Sequence, residues 1–235
     1  MKITTLLFFS LFTLSASFSQ TYDQHMQSGM VKYAKGNYKE AIKDFSKALK
    51  TSDNDIEAYV LYNLCNLKLG NLKEVVETVT TLLQKYPENA DLYYARAYAY
   101  AGLKKHKEAI DDYSSAIKLN PADAYALFNR AISYDELGLF KKAVTDFSNA
   151  ILITPDDAEI YSNRAFTYEK MNKNNEAEQD YTKAIELTPE NPQLYVDRAE
   201  FLGKIGRREE ACIDLKIAVD MDLEEAKILS LTLCE

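Results

Sequence analysis

A chain of 235 residues that is 47% apolar and 27% charged carries enough hydrocarbon to bury a core, which excludes a disordered tail or linker. Seven Gly and five Pro favour helix, and a formal charge of −8 repels phosphate backbones, so no nucleic-acid partner is expected. Seventeen Tyr and ten Phe against no Trp is an unusual aromatic balance.

The first element is a leader. Lys2 is followed by Ile3–Leu14, twelve residues without charge, and then by the small residues of Ser15-Ala16-Ser17-Phe18-Ser19. Residues 1–19 read as a secretory signal peptide cut before Gln20, with a cut after Ser17 as the alternative. The apolar run is too short to span a bilayer, and no cysteine follows it for lipid attachment. No stable membrane insertion is therefore expected after removal. Cleavage takes away Lys2 and no acid, so the charge falls from −8 to −9. The chain is expected to be secreted across the inner membrane of a bacterium, into the periplasm or onto the outer membrane.

Beyond the leader a period of 34 residues governs the chain. Pro87, Pro121, Pro155 and Pro189 fall on it, as do Gly36, Gly70, Gly138 and Gly206. So do Ala109, Ala143, Ala177 and Ala211, then Ala116, Ala150, Ala184 and Ala218. Phe45, Tyr113, Phe147 and Tyr181 form an aromatic series. Each period reads as two helices. The glycine slot marks the turn between them, because that turn needs a residue tolerant of positive φ. The proline stops the second helix. Six repeats follow in order: 22–55, 56–89, 90–123, 124–157, 158–191 and 192–225.

The repeats are not uniform. The first has Asp53 in place of proline, and the sixth has Leu223. In the second, Asn63, Val75 and Leu82 replace small residues, so a register-shifted first helix and looser packing are expected there. The third and fifth put Lys104 and Asn172 in the glycine slot; a lysine there costs about 1 kcal/mol of strain if the turn is kept. Residues 226–235, with Ile228, Leu229 and Leu231, read as a helix capping the last exposed core face.

Over residues 22–225 this pattern resembles the tetratricopeptide repeat, a 34-residue helix–turn–helix unit. Tyr93, Leu127, Tyr161 and Tyr195 stand where that family often has Trp, which accounts for part of the tyrosine excess. The resemblance implies an all-α, right-handed superhelical solenoid of six units plus the capping helix, with the first helices lining a concave groove.

Four arginines, Arg96, Arg130, Arg164 and Arg198, recur on the period inside apolar first helices. Helical spacing puts Tyr93, Arg96 and Tyr100 on the side facing the partner helix. A buried guanidinium needs a carboxylate. Asp112, Asp146, Asp180 and Asp214 each lie 16 residues later. Structural pairs Arg96–Asp112, Arg130–Asp146, Arg164–Asp180 and Arg198–Asp214 are expected; the alternative is an arginine ladder for an anionic ligand. The first repeat keeps Asp44 but has Ser28, and the second has Tyr62 and Thr78, neither partner.

The opposite side of the first helices carries a second pattern. One series is Met26, Val60, Tyr94, Phe128, Ser162 and Val196; four residues on is Met30, Leu64, Tyr98, Ile132, Phe166 and Glu200. Asn129 and Asn163 lie between them, and Asp197 takes the next step. Tyr94, Tyr98, Phe128, Asn129, Ile132, Asn163 and Phe166 are the expected partner-binding residues, with amides able to hold an extended peptide backbone. The competing reading is that neighbouring first helices bury these side chains against each other. The two-carboxylate clamp of chaperone-adaptor relatives is absent: its flanking Lys, Asn, Lys and Arg slots hold Tyr94, Tyr98, Glu159 and Asn163 when Asn129 is central, and Phe128, Ile132, Gln193 and Asp197 when Asn163 is.

Chemistry for catalysis is missing. His25 and His106 lack metal-ligand spacing, no phosphate-cradling glycine loop or nucleophile elbow occurs, and Asp111-Asp112 and Asp156-Asp157 are adjacent and so diverge on a helix. Neither enzyme activity, metal nor cofactor is expected. Of three cysteines, Cys212 lies in the last second helix and Cys234 in the cap packed on it, so a Cys212–Cys234 disulfide is expected and Cys65 stays free. The chain reads as a non-enzymatic scaffold holding a protein or peptide in its groove, in envelope assembly. A self-associating homo-oligomer is the alternative.

Overall fold

The computed structural model describes residues 21–52 and 55–234. The leader expected over 1–19, Asp53 and Glu235 at the end of the cap lie outside the described residues. Those residues form thirteen helices and no strand. The first, α1, is helical from 21 to 34. It is followed by α2 (Tyr38–Thr51), α3 (Ile56–Lys68), α4 (Leu72–Lys85), α5 (Ala90–Gly102) and α6 (His106–Leu119). Then come α7 (Ala124–Glu136), α8 (Phe140–Ile153), α9 (Ala158–Lys170), α10 (Asn174–Leu187), α11 (Pro192–Lys204), α12 (Arg208–Asp220) and α13 (Glu224–Leu233).

The described residues divide into two compact units, the first ending at Leu119 and the second beginning at Asn120. Within each, antiparallel hairpins pack in succession, α5 on α6 and α4 on α5 in the first, α7 on α8, α8 on α9, and onward in the second. The alanine series forms the seams. Ala41, Ala109, Ala143, Ala177 and Ala211 are wholly buried, as are Ala48, Ala116, Ala150, Ala184 and Ala218. Small side chains there let paired helices approach closely, while Phe45, Tyr113, Phe147 and Tyr181 fill the hairpin cores.

Side-chain caps set the helix starts. Asp55, Asn89, Asp123, Asp157 and Asn191 precede α3, α5, α7, α9 and α11, and each accepts a backbone N–H of the first turn at 2.8–3.2 Å. This satisfies donors that a helix start leaves open. At the turn within the hairpin, Gly138 is left-handed with φ +71°, and Lys104 and Asn172 adopt the same region at 61° and 56°.

The structure corrects the sequence reading of the second repeat. Its first helix is in register: α3 begins at Ile56, one period before Ala90. The polar intrusion is accommodated instead. Asn63 is 1% exposed in a slot that is alanine in later repeats, and its Nδ2 donates to Tyr59 O at 2.9 Å. With Val75 buried opposite in place of alanine, α3 rests less extensively on α4 than α5 does on α6.

A second correction concerns the cap. It was expected from 226, but α13 starts at Glu224. With leucine in the proline slot, α12 ends in a tight turn through Asp222 at φ 62°, and the next helix begins early. Packing on α12 buries Ala226, and Leu229 and Leu233 join the core there. Leu233 also covers Gly203 of α11.

Candidate functional site

The arginines lie between helices. Arg96 Nε and Nη2 donate to Asp112 Oδ2 and Oδ1 at 2.6 and 2.8 Å. The same two-pronged contact joins Arg130 to Asp146 (2.7 and 2.9 Å), Arg164 to Asp180 (2.7 and 2.8 Å) and Arg198 to Asp214 (2.7 and 2.7 Å). A planar guanidinium matches a carboxylate in this geometry. The aspartates are almost wholly buried, at 2–6% exposure. Hydrogen bonding to Asp112 raises the Arg96 pKa against the opposing effect of burial. Burial is the largest single influence at Arg164 and acts to lower its pKa, but the hydrogen bond to Asp180 and that carboxylate's charge together outweigh it, so the pKa is again raised. Tyrosines one turn away flank the cations: Arg96 lies 6.0 and 5.9 Å from the Tyr93 and Tyr100 ring centres, and Arg164 lies 5.7 and 5.8 Å from those of Tyr161 and Tyr168.

Sequence reasoning missed a further partner. Arg96 Nη1 donates to Thr80 Oγ1 at 3.0 Å, Arg164 Nη1 to Ser148 Oγ at 2.9 Å and Arg198 Nη1 to Thr182 Oγ1 at 3.1 Å. These hydroxyls lie 16 residues before their arginines, on the second helix of the preceding repeat. Each of these guanidiniums therefore ties its own hairpin to the one before. The recurrence of a hydroxyl residue at that slot was the available signal. The first repeat meets the same need differently: with serine in the arginine slot, Asp44 accepts from Ser28 Oγ at 2.6 Å and from Lys32 Nζ at 2.5 Å. These bonds lower the Asp44 pKa although burial, the largest single influence, acts to raise it.

The other face of the first helices splits by depth. Met30, Tyr98 and Phe166 share one slot and are 47%, 44% and 45% exposed. Tyr94 is half-buried, its ring edge-on to Tyr113 at 5.8 Å and stacked on Tyr98 at 6.4 Å. Ile132 is half-buried. Phe128 is a correction: it is 8% exposed, because its ring packs 5.8 Å from Phe147 inside the hairpin, and it offers no accessible anchor. The asparagines each bond their own helix. Asn129 Nδ2 donates to Tyr125 O and Asn163 Nδ2 to Glu159 O, both at 2.8 Å, so each amide commits a donor to its own helix.

In the second unit this face is acidic. Lys170 pairs with Asp135 and lies 4.3 Å over the Phe166 ring; Lys204 pairs with Glu169 at 2.7 Å. Asp197 is half-buried and accepts from Gln193 Nε2 at 3.1 Å and Ser162 Oγ at 3.3 Å. Burial raises its pKa, and these two neutral donors only partly oppose that.

At the end of the chain the Cys212 and Cys234 sulfurs are bonded, with Cα atoms 5.7 Å apart. Cys65 is a buried free thiol whose pKa burial pushes up to about 11. Among the described residues no group of three or more His, Cys, Asp or Glu could hold a metal ion, and no helix is long and apolar enough to cross a membrane.

Successive antiparallel hairpins on a 34-residue period, locked by alanine seams, define a helical-repeat protein. A tetratricopeptide repeat model matches residues 90–123 and 158–191, a TPR repeat model matches 134–172, and a second tetratricopeptide repeat model matches 32–99. Together these span more than half of the chain, which belongs to the tetratricopeptide repeat family. No match was found among curated proteins. Among solved structures, the chain is similar to TTC0263, a thermophilic TPR protein in Thermus thermophilus. Identity is 29% over 77% of this chain and 98% of that one, with a TM-score of 0.63. MamA matches at 26% identity over 72% and 92%, with a TM-score of 0.63. YrrB, described as a TPR protein with an unusual peptide-binding site, shares the fold at 17% identity over 80% and 98%, with a TM-score of 0.64. The fold class is that of a protein–protein interaction scaffold, a class generally without catalysis.

Proposed function

We propose that this protein is a non-enzymatic scaffold that binds a peptide or helix of a partner protein on the exposed face of its first helices, in the bacterial envelope. The observation that carries the reading is the recurrence of a large exposed apolar side chain, Met30, Tyr98 and Phe166, at one slot of the repeat. Folding gains nothing from leaving such side chains in water, whereas a docking partner gains from covering them. The peptide-binding site for which YrrB is described supports the same use of this fold. The leader over 1–19 supports an envelope location.

The test compares affinity capture from envelope extracts by the wild-type chain and by a Tyr98→Ala/Phe166→Ala variant, with circular dichroism as the folding control. Loss of a specific partner from the folded variant is expected; an unchanged partner set would overturn the reading. N-terminal sequencing of the exported chain should begin at Gln20, and retention of residues 1–19 would remove the envelope assignment. Self-association is a second reading, favoured by Ile228 and Leu231, each 62% exposed on α13. Light scattering at several concentrations separates the two.

A further inference from the structure

The trough between α9 and α11 has a lining that narrows what the proposed peptide face would hold; the inference rests on that reading. Two depressions, of about 910 and 240 Å³, share Ser162, Asn163 and Asp197 and so run into one another. Exposed apolar side chains bound it, Ile153 (40%) toward one end and Phe166 (45%) toward the other. Between these shoulders carboxylates outnumber cations. Asp156, Glu159, Asp197 and Glu200 line the trough, and none of them has an ion-pair partner among the described residues. The cation in the lining, Lys204, is already held by Glu169.

Asp197 is the unusual member. Its slot is asparagine in the two preceding repeats, where the amide bonds its own helix, so the fold does not need a charge there. Here a half-buried carboxylate is met only by the neutral donors Gln193 and Ser162. A desolvated carboxylate without a cation is destabilising, and a cation brought from outside offsets that cost. The apolar shoulders add area burial beside it.

We infer that this trough takes an extended peptide segment carrying a lysine or arginine side chain beside an apolar one, the cation seated at Asp197 and the apolar side chain against Phe166. The partner class is a basic, apolar-containing segment. Acidic segments, and the free carboxylate termini that chaperone-adaptor relatives clamp, are repelled.

Fluorescence anisotropy with two short labelled peptides tests this on the mature chain. Both peptides carry the same leucine and phenylalanine; one has lysines where the other has glutamates. The lysine peptide should bind about tenfold or more tightly than its counterpart, with affinity falling at high salt. Asp197→Asn should weaken the lysine peptide about tenfold while the folded signal is kept, and Glu209→Gln on α12 should leave it unchanged. Equal binding of both peptides, or an Asp197→Asn variant indistinguishable from wild type, overturns the cation assignment and leaves the apolar face standing. Equal weakening by Glu209→Gln overturns it too, since only the overall field would then be acting. Failure of both peptides to bind, together with no effect of Phe166→Ala on captured partners, removes the underlying peptide-site reading.

Discussion

At Arg164 a positive charge is held inside a helical stack by a carboxylate from one hairpin and a hydroxyl from the hairpin before it. Removing the carboxylate strands the charge. Asp180→Ala is expected to cost about 3 kcal/mol, toward the low end for a broken buried pair because the arginine side chain keeps 17% exposure. Urea denaturation reads this directly, and a loss below about 1 kcal/mol would place the pair with ordinary surface bridges. Asp197 has the opposite sign. Its pKa is raised in the folded chain, chiefly by burial. Its contribution to stability is therefore complete below the carboxylate's unfolded value and is lost as pH rises through the folded value. Asp197→Asn should melt higher than wild type at neutral pH, with the difference vanishing in acid. A difference that persists in acid would point to another cause. The aspartate partners were legible because one spacing of 16 recurs four times and a buried cation demands an anion. The hydroxyls at minus 16 went unread because they lie outside the repeat that owns the arginine, and Lys32 because it serves Asp44 from a different helical position.

The helices obey their period more faithfully than their residues do. α3 keeps its start at Ile56 despite Asn63, because the Asp55 cap and the Gly70 turn bound it on both sides. A single polar residue within a helix changes packing without moving its ends. The early start of α13 was harder to read, since it follows from a left-handed aspartate rather than from glycine or asparagine, the residues that usually signal such a turn. Lys104 lies in the same backbone region where the sibling turns at Gly36, Gly70, Gly138 and Gly206 use glycine. Lys104→Gly should stabilise by about 1 kcal/mol, measured by chemical denaturation. A destabilised variant would show that the lysine side chain makes stabilising contacts elsewhere. Burial of Phe128 escaped the sequence because a helix packed on two neighbours has no single apolar stripe: periodicity gives a residue's angle, and only the packed hairpin gives its depth.

Across the molecule, stability in a stack of repeats is carried by each hairpin and its nearest neighbours. The disulfide at one end should act locally. Closing a loop between residues 22 apart is worth about 3 kcal/mol. A ten-residue helix is marginal on its own, so α13 depends on that closure as well as on Ala226, Leu229 and Leu233. Reduction should raise hydrogen exchange across 208–234 and leave residues 21–119 unaffected. Exchange that rises uniformly along the chain would contradict nearest-neighbour stability.

The sharing of guanidiniums between consecutive second helices also constrains how such a chain can change length. Excising residues 158–191 would carry Arg198 from Thr182 to Ser148, the same kind of acceptor one period earlier, while its aspartate travels with it. A loss that is not a whole number of periods would part an arginine from its acceptors in a largely buried seam. Duplication or deletion is thus tolerated in whole periods, and the charge network serves as the counting rule by which genes for such arrays can grow or shrink.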